Sequence, residues 1–240
     1  NKTLDTYEYD TATAIKLLED DGWTLNEKGE AYTSGIRYKK VTAEEAGDYE
    51  HNVTLSDGTI LMPLIIEWAS TEKNSVSDLL SVRLANSDDT KKAGMQINQT
   101  IMTFSELLNW MYRDDSEGAQ YGVKKYGMYN LATGFQPAYD QSYSYSLDPA
   151  FVAQGYNTNY IFDEQLDKLS MDMVYGVEPG DKETYCQKWF DFIVHWNQLL
   201  PEIPLYSNIY HDVYNEKLKN WDVDNFWDLT YGILYAWVEE

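Results

Sequence analysis

The sequence predicts an α/β fold with a mixed, mostly parallel sheet flanked by helices. Three observations lead there. Strand-like and helix-like segments alternate from residue 60 to residue 132 in the order strand, helix, strand, helix, strand, which is the signature of βαβ units with right-handed crossovers. The helical segments carry their apolar residues on one face. The 240 residues, 43% hydrophobic and 15% aromatic, suffice for one large domain or two small ones with ample core.

Asp10 is placed to cap a first helix, in which Ala14, Leu17 and Leu18 make an apolar stripe. Gly22 stops that helix, and Trp23 packs its exit. Residues 26–29 and the Asp57-Gly58 pair read as turns. Between them, residues 36–55 alternate loosely, as strands or as an irregular excursion. Residues 60–68 (ILMPLIIEW) form the best buried strand, with Pro63 at an edge or bulge. Ser75 or Ser77 opens the next helix, with Val76, Leu79, Leu80, Val82 and Leu84 as its apolar content, and Ala93-Gly94 ends it. Residues 95–102 return as a strand. Thr103 with Glu106 then reads as a capping box for a helix that buries Phe104, Leu107, Leu108 and Met111. A short strand follows at residues 128–132. Further on, Phe162, Leu166, Leu169 and Met173 mark an amphipathic helix with Asp163 and Asp167 facing water. The longest helical pattern runs through Tyr185, Trp189, Phe192, Ile193, Trp196, Leu199 and Leu200, and Pro201 ends it.

The charge excludes several functions. Forty acids against 18 bases, a net charge of −22, argue against nucleic acid, whose phosphates need clustered Lys and Arg, and against anionic membrane surfaces. The single cysteine, Cys186, forbids an internal disulfide and a multi-cysteine zinc site. His51, His195 and His211 share neither a helical face nor a ligand spacing, so no metal or other cofactor is expected. There is no Gly-x-Ser-x-Gly elbow and no phosphate-binding glycine loop. No run approaches the length of a membrane span, and the opening NKTLDTYEYD is not a signal peptide.

Residues 127–149 carry the candidate chemistry. A strand breaks at Thr133-Gly134 into a loop with Phe135, Tyr139, Tyr143 and Tyr145 around Asp140. Loops at the carboxyl ends of strands are where open α/β sheets bind ligands. Aromatic walls with one carboxylate suit an organic ligand bearing a cation or hydroxyl. A Tyr-rich surface loop packed on itself is the plainer alternative. Abundant aromatics and acids also suit a carbohydrate-binding module, or a glycan hydrolase pairing Asp140 with Asp148 or Asp163. Non-catalytic binding is preferred.

Several ordered segments resemble the C-terminal lobe of the family 5 extracytoplasmic solute-binding proteins, the oligopeptide- and dipeptide-binding components of ABC importers. They are Tyr9-Asp10-x-x-x-Ala14-x-x-Leu17-Leu18-x-x-x-Gly22-Trp23, then Ala93-Gly94-Met95-Gln96-Ile97, residues 130–135, Gly155-Tyr156-Asn157 through Asp167-Lys168-Leu169, and Leu200-Pro201-Glu202-Ile203-Pro204-Leu205-Tyr206. The resemblance implies a type II periplasmic-binding-protein-like lobe. Residues 1–202 would form the ligand-binding lobe, and residues 203–240 would return to an N-terminal lobe outside these 240 residues. It implies an extracytoplasmic protein, periplasmic or lipid-anchored, that shares an oligopeptide between two lobes and delivers it to ABC permease subunits. In peptide-binding members an Asp shortly after a Gly-Trp pair receives the peptide ammonium. Here Phe135 stands at the Trp position, the spacing to the acid differs, and the implied ammonium ligand is Asp140, with Asp148 second. Phe135, Tyr139 and Tyr143 would line the site.

Overall fold

In the computed structural model, which describes residues 4–132, 140–207, 209, 211–224 and 229–240, the apolar run at residues 60–68 is two strands rather than one. Pro63 pairs with Tyr38 at the end of one ladder, and its missing N–H stops that ladder. Leu64 then joins two sheets. Its N–H donates to the Arg37 carbonyl (2.8 Å), and its carbonyl accepts from Gln96 N–H (3.0 Å). The chain as a whole divides into two units, Tyr7–Leu131 and Asn1–Thr6 with Ala132–Glu240.

The first unit opens with α1 (Thr11–Asp20), where the Asp10 carboxylate accepts from the N–H groups of Ala12 (2.9 Å) and Thr13 (3.2 Å). β1 (Tyr38–Val41) follows, then α2 (Ala43–Ala46), where Thr42 and Glu45 close a full capping box. β2 (Val53–Thr54) and β3 (Ile60–Pro63) complete an antiparallel sheet of order β1-β3-β2, with the Asp57-Gly58 turn between them. β4 (Ile65–Thr71) is the centre of a second sheet. From it the chain passes through α3 (Ser75–Leu80), a π-helical turn at Ser81–Ala85 and α4 (Asp88–Lys92) into β5 (Gln96–Met102). Then α5 (Phe104–Tyr112) leads towards β6 (Met128–Tyr129). The order is β5-β4-β6 and both pairings are parallel, so the βαβαβ expectation holds.

Adjacent residues of β4 face opposite sides of the sheet, and a helix covers each. Ala69 packs with Met102 and Leu107 of α5, against Leu108, Trp110, Tyr126 and Tyr129. On the other side Trp68 is fully buried, and its Nε1–H donates to Asn130 Oδ1 (3.2 Å), which also accepts from Ser77 of α3 (3.1 Å). The helix after β4 differs from expectation. Asn74 is its cap, accepting from Val76 and Ser77 N–H, while Ser77 lies buried inside it. Leu79 and Val82 remain exposed (57% and 66%), because Val76, Ser77, Leu80 and Ser81 form the inward side of the helix. Thr103 accepts from Glu106 N–H (3.3 Å), Leu107 is buried, and Phe104 is exposed.

Arg37 is the polar centre of this unit. It is 3% exposed and donates to the carbonyls of Ala93 and Trp23 (2.9 Å each) and to Glu19 Oε1 (3.0 Å). Its guanidinium lies 4.1 Å from the centre of the Tyr32 ring. Gly94 lies beside it at φ +77, where an added Cβ would stand 2.5 Å from Arg37 Cγ. Only glycine meets both demands.

The second unit contains α6 (Pro149–Ala153), α7 (Glu164–Tyr175) and α8 (Lys182–Leu199). Its core is Tyr145, Leu166, Met173 and Phe192, with Leu169, Ile193, Trp196 and Leu199 packed against it. These belong to the expected faces of α7 and α8, but Phe162, Tyr185 and Trp189, expected on the same faces, are exposed. Asp5 N–H donates to Asn197 Oδ1 of α8 (2.7 Å). Beyond Pro201 come a two-strand ladder of β7 (Leu218–Lys219) and β8 (Trp237–Val238) and the short α9 (Leu229–Gly232). Ile209, Val213 and Leu234 there are 84%, 98% and 72% exposed. Among the described residues no helix is long and apolar enough to cross a membrane.

Candidate functional site

The segment from Asp140 to Phe162 in the second unit is shaped by short polar side chains that turn the backbone. Asp140 is exposed, and its Oδ1 accepts from Ser142 N–H (2.9 Å) and Ser142 Oγ–H (2.6 Å). This is an Asx turn, followed by backbone bonds from Ser144 N–H to Gln141 O and from Ser146 N–H to Tyr143 O. Oδ2 of Asp140 has no partner among the described residues. The carboxylate is therefore held in one orientation with an acceptor left over. Phe135 and Tyr139 lie outside the described residues.

The two tyrosines after the turn take opposite roles. Tyr145 is 3% exposed. It packs on Phe192 at 5.8 Å, and its hydroxyl accepts from Trp196 Nε1–H (2.7 Å), so it is a core residue. Tyr143 sits in a ring cluster with Phe151 (5.0 Å, edge-to-face) and Tyr156 (5.4 Å, tilted), and those two rings also meet edge-to-face at 5.9 Å. Asn157 is 1% exposed, and its Nδ2 donates to the carbonyls of Ser146 and Ile161 (3.1 Å each), which ties those two parts of the segment together. The turn thus brings Asp140 and Tyr143 into one short stretch. Phe151, Tyr156 and Asn157 were not among the expected site residues. The local signal for them was Gly155-Tyr156-Asn157, a glycine closing α6 at φ +77 before an aromatic and an amide.

Asp148 does different work. Its Oδ1 accepts from Ala150 N–H (2.8 Å) and caps α6, with Pro149 in the first turn, an arrangement that suits Pro at that position. Asp163, expected to face water, caps α7 instead. Its Oδ1 accepts from Leu166 N–H (2.7 Å) and lies 2.8 Å from His195 Nε2 of α8. The hydrogen bond from His195 is the main cause holding the Asp163 carboxyl below its ordinary range, with the Leu166 N–H adding to it. A glycosidase acid needs the opposite shift. Each acid weighed for that chemistry, Asp140, Asp148 and Asp163, is bound to its own local backbone, and the glycan reading finds no support. Among the described residues no three His, Cys, Asp or Glu side chains gather as a metal site.

No family model matches the sequence, and no curated protein matches it. Solved structures do. The oligopeptide-binding protein AppA from Bacillus subtilis, in complex with a nonapeptide, aligns with 100% of this chain and 40% of its own, at 16% identity and a TM-score of 0.62. An oligopeptide binding protein from Thermus thermophilus, complexed with a pentapeptide, aligns with 92% of this chain and 33% of its own, at 22% identity and a TM-score of 0.62. NikA from Brucella suis, in complex with Fe(III)-EDTA, aligns with 82% and 32%, at 19% identity and a TM-score of 0.50. The chain spans at most 40% of these structures, and at such identities the likeness is one of fold. The chain therefore has a type II periplasmic-binding-protein-like fold, matched over all or most of its length to a third or more of each of two oligopeptide-binding proteins.

Proposed function

We propose that this chain is the C-terminal lobe of the substrate-binding component of an ABC importer, which captures oligopeptides outside the cytoplasm and passes them to permease subunits. The fold match to two peptide-complexed proteins, over all or nearly all of this chain and 40% or less of theirs, supports the reading most strongly. Residues 1–202 form the lobe. Residues 203–240 return to an N-terminal lobe, and the exposed apolar side chains of that segment, such as Ile209 and Val213, suit such an interface.

In this reading Asp140 receives the peptide ammonium. One carboxylate oxygen is fixed by Ser142, and the other is left to accept a charge-assisted hydrogen bond. Phe135, Tyr139 and Tyr143 are the aromatic residues assigned to this site, and Asp148, which caps α6, is the second candidate for the ammonium. Because the facing lobe supplies the second wall, these 240 residues alone bind peptide more weakly than micromolar. Weak binding is readable as the shift of the Ser142 amide in a heteronuclear NMR titration, since that N–H bonds to Asp140. Asp140→Ala is expected to weaken trialanine binding about fivefold or more, and an unchanged affinity would remove Asp140 from the site.

A further inference from the structure

The ring cluster beside Asp140 lies on a stretch of unusual charge. From Tyr126 to Asp167 the chain contains no Lys or Arg, and it contains five acids: Asp140, Asp148, Asp163, Glu164 and Asp167. Elsewhere in the chain cations sit over aromatic faces. Arg37 covers Tyr32, Lys39 covers Trp23, and Lys125 covers both Trp110 and Tyr126. Among the described residues no cation reaches Tyr143, Phe151 or Tyr156, although Tyr143 and Tyr156 are 38% and 49% exposed. Their mutual packing fixes the rings against one another, and Asn157, next to Tyr156, ties the backbone at Ser146 to that at Ile161. An aromatic surface with preset geometry, no cation over it among the described residues and a place three residues after the exposed Asp140 in an acidic stretch of sequence attracts a cation from outside.

We propose that the Tyr143–Phe151–Tyr156 cluster is a side-chain subsite of the Asp140 site that takes an arginine or lysine side chain, so that basic oligopeptides are the preferred ligands. The proposal rests on the reading of Asp140 as the ammonium ligand. A neutral aliphatic side chain would gain ring contact there but nothing from the acidic surroundings, which makes the two occupants separable.

The test titrates the 240-residue chain with triarginine, trileucine and trialanine at physiological salt, following the Ser142 amide and the ring signals of Tyr143 and Tyr156. Triarginine is expected to bind more tightly than the other two and to move the ring signals. Tyr156→Ala should reduce that preference about two- to fivefold, while Tyr156→Phe, which retains a ring, should keep it. Trialanine should still shift Ser142 in both variants. Tighter binding of trileucine, or a triarginine preference untouched by Tyr156→Ala, overturns the proposal, the latter by assigning the preference to general charge attraction. Ring shifts that persist with triarginine while no peptide moves Ser142 would overturn the ammonium reading and support the ring site alone.

Discussion

Arg37 illustrates what a single side chain does here and why no local pattern revealed it. Its partners lie 14, 18 and 56 residues away, so only the folded chain assembles them. Two are backbone carbonyls that lose a buried donor if the guanidinium is removed, at about 1–3 kcal/mol each for unsatisfied groups. Glu19 is half-exposed, so that ion pair adds little. Arg37→Met is expected to destabilise the first unit by about 3 kcal/mol, read from the midpoint of urea unfolding. Arg37→Lys should recover less than half of that, because one ammonium cannot span the fork of three acceptors. A loss below about 1 kcal/mol for Arg37→Met would show that water replaces those contacts. By contrast, the Asp10 cap and the glycine at 94 were legible directly. Each follows from what one residue type can do at a helix start or at positive φ.

Among the elements, the helix faces of α7 and α8 and the parallel βαβαβ order were readable because periodicity is a local property. The division at Pro63 and the exposed side of α3 were not, since both depend on which sheet the chain enters next. Acids at helix starts were misread for a related reason. The sequence 163–166 reads as a solvent-facing acid before an apolar stripe, yet the cap geometry and His195, 32 residues on, turn Asp163 inwards. That junction between α7 and α8 has a definite pH signature. The folded carboxyl of Asp163 is held below its ordinary value of 3.8. Its contribution to stability is therefore complete above the unfolded value and is lost as pH falls through 3.8 towards the lowered one. Asp163→Asn keeps a capping oxygen but removes the charge. Its urea midpoint should match the parent more closely at about pH 2 than at about pH 6, whereas parallel profiles would show that the carboxylate's charge contributes nothing there.

At the scale of the whole chain, the fold class was visible in the sequence, and the loop proposed as the ligand site was singled out by its position after a strand. The inner organisation of that loop was not visible. Nothing in the alternation of Ser and Tyr at residues 142–146 says that Tyr145 enters the core on α8 while Tyr143 joins Phe151 and Tyr156. The chain also leaves apolar side chains of residues 203–240, such as Ile209, Val213 and Leu234, in solvent. The central claim is that Asp140 holds a ligand ammonium on one wall of a shared cleft. It is tested most directly by titrating trialanine and N-acetyl-trialanine separately into the 240-residue chain and following the Ser142 amide. The expected result is a saturable shift with the free amine, weaker than micromolar, and at least about fivefold weaker binding after acetylation. Equal shifts with both peptides would contradict it.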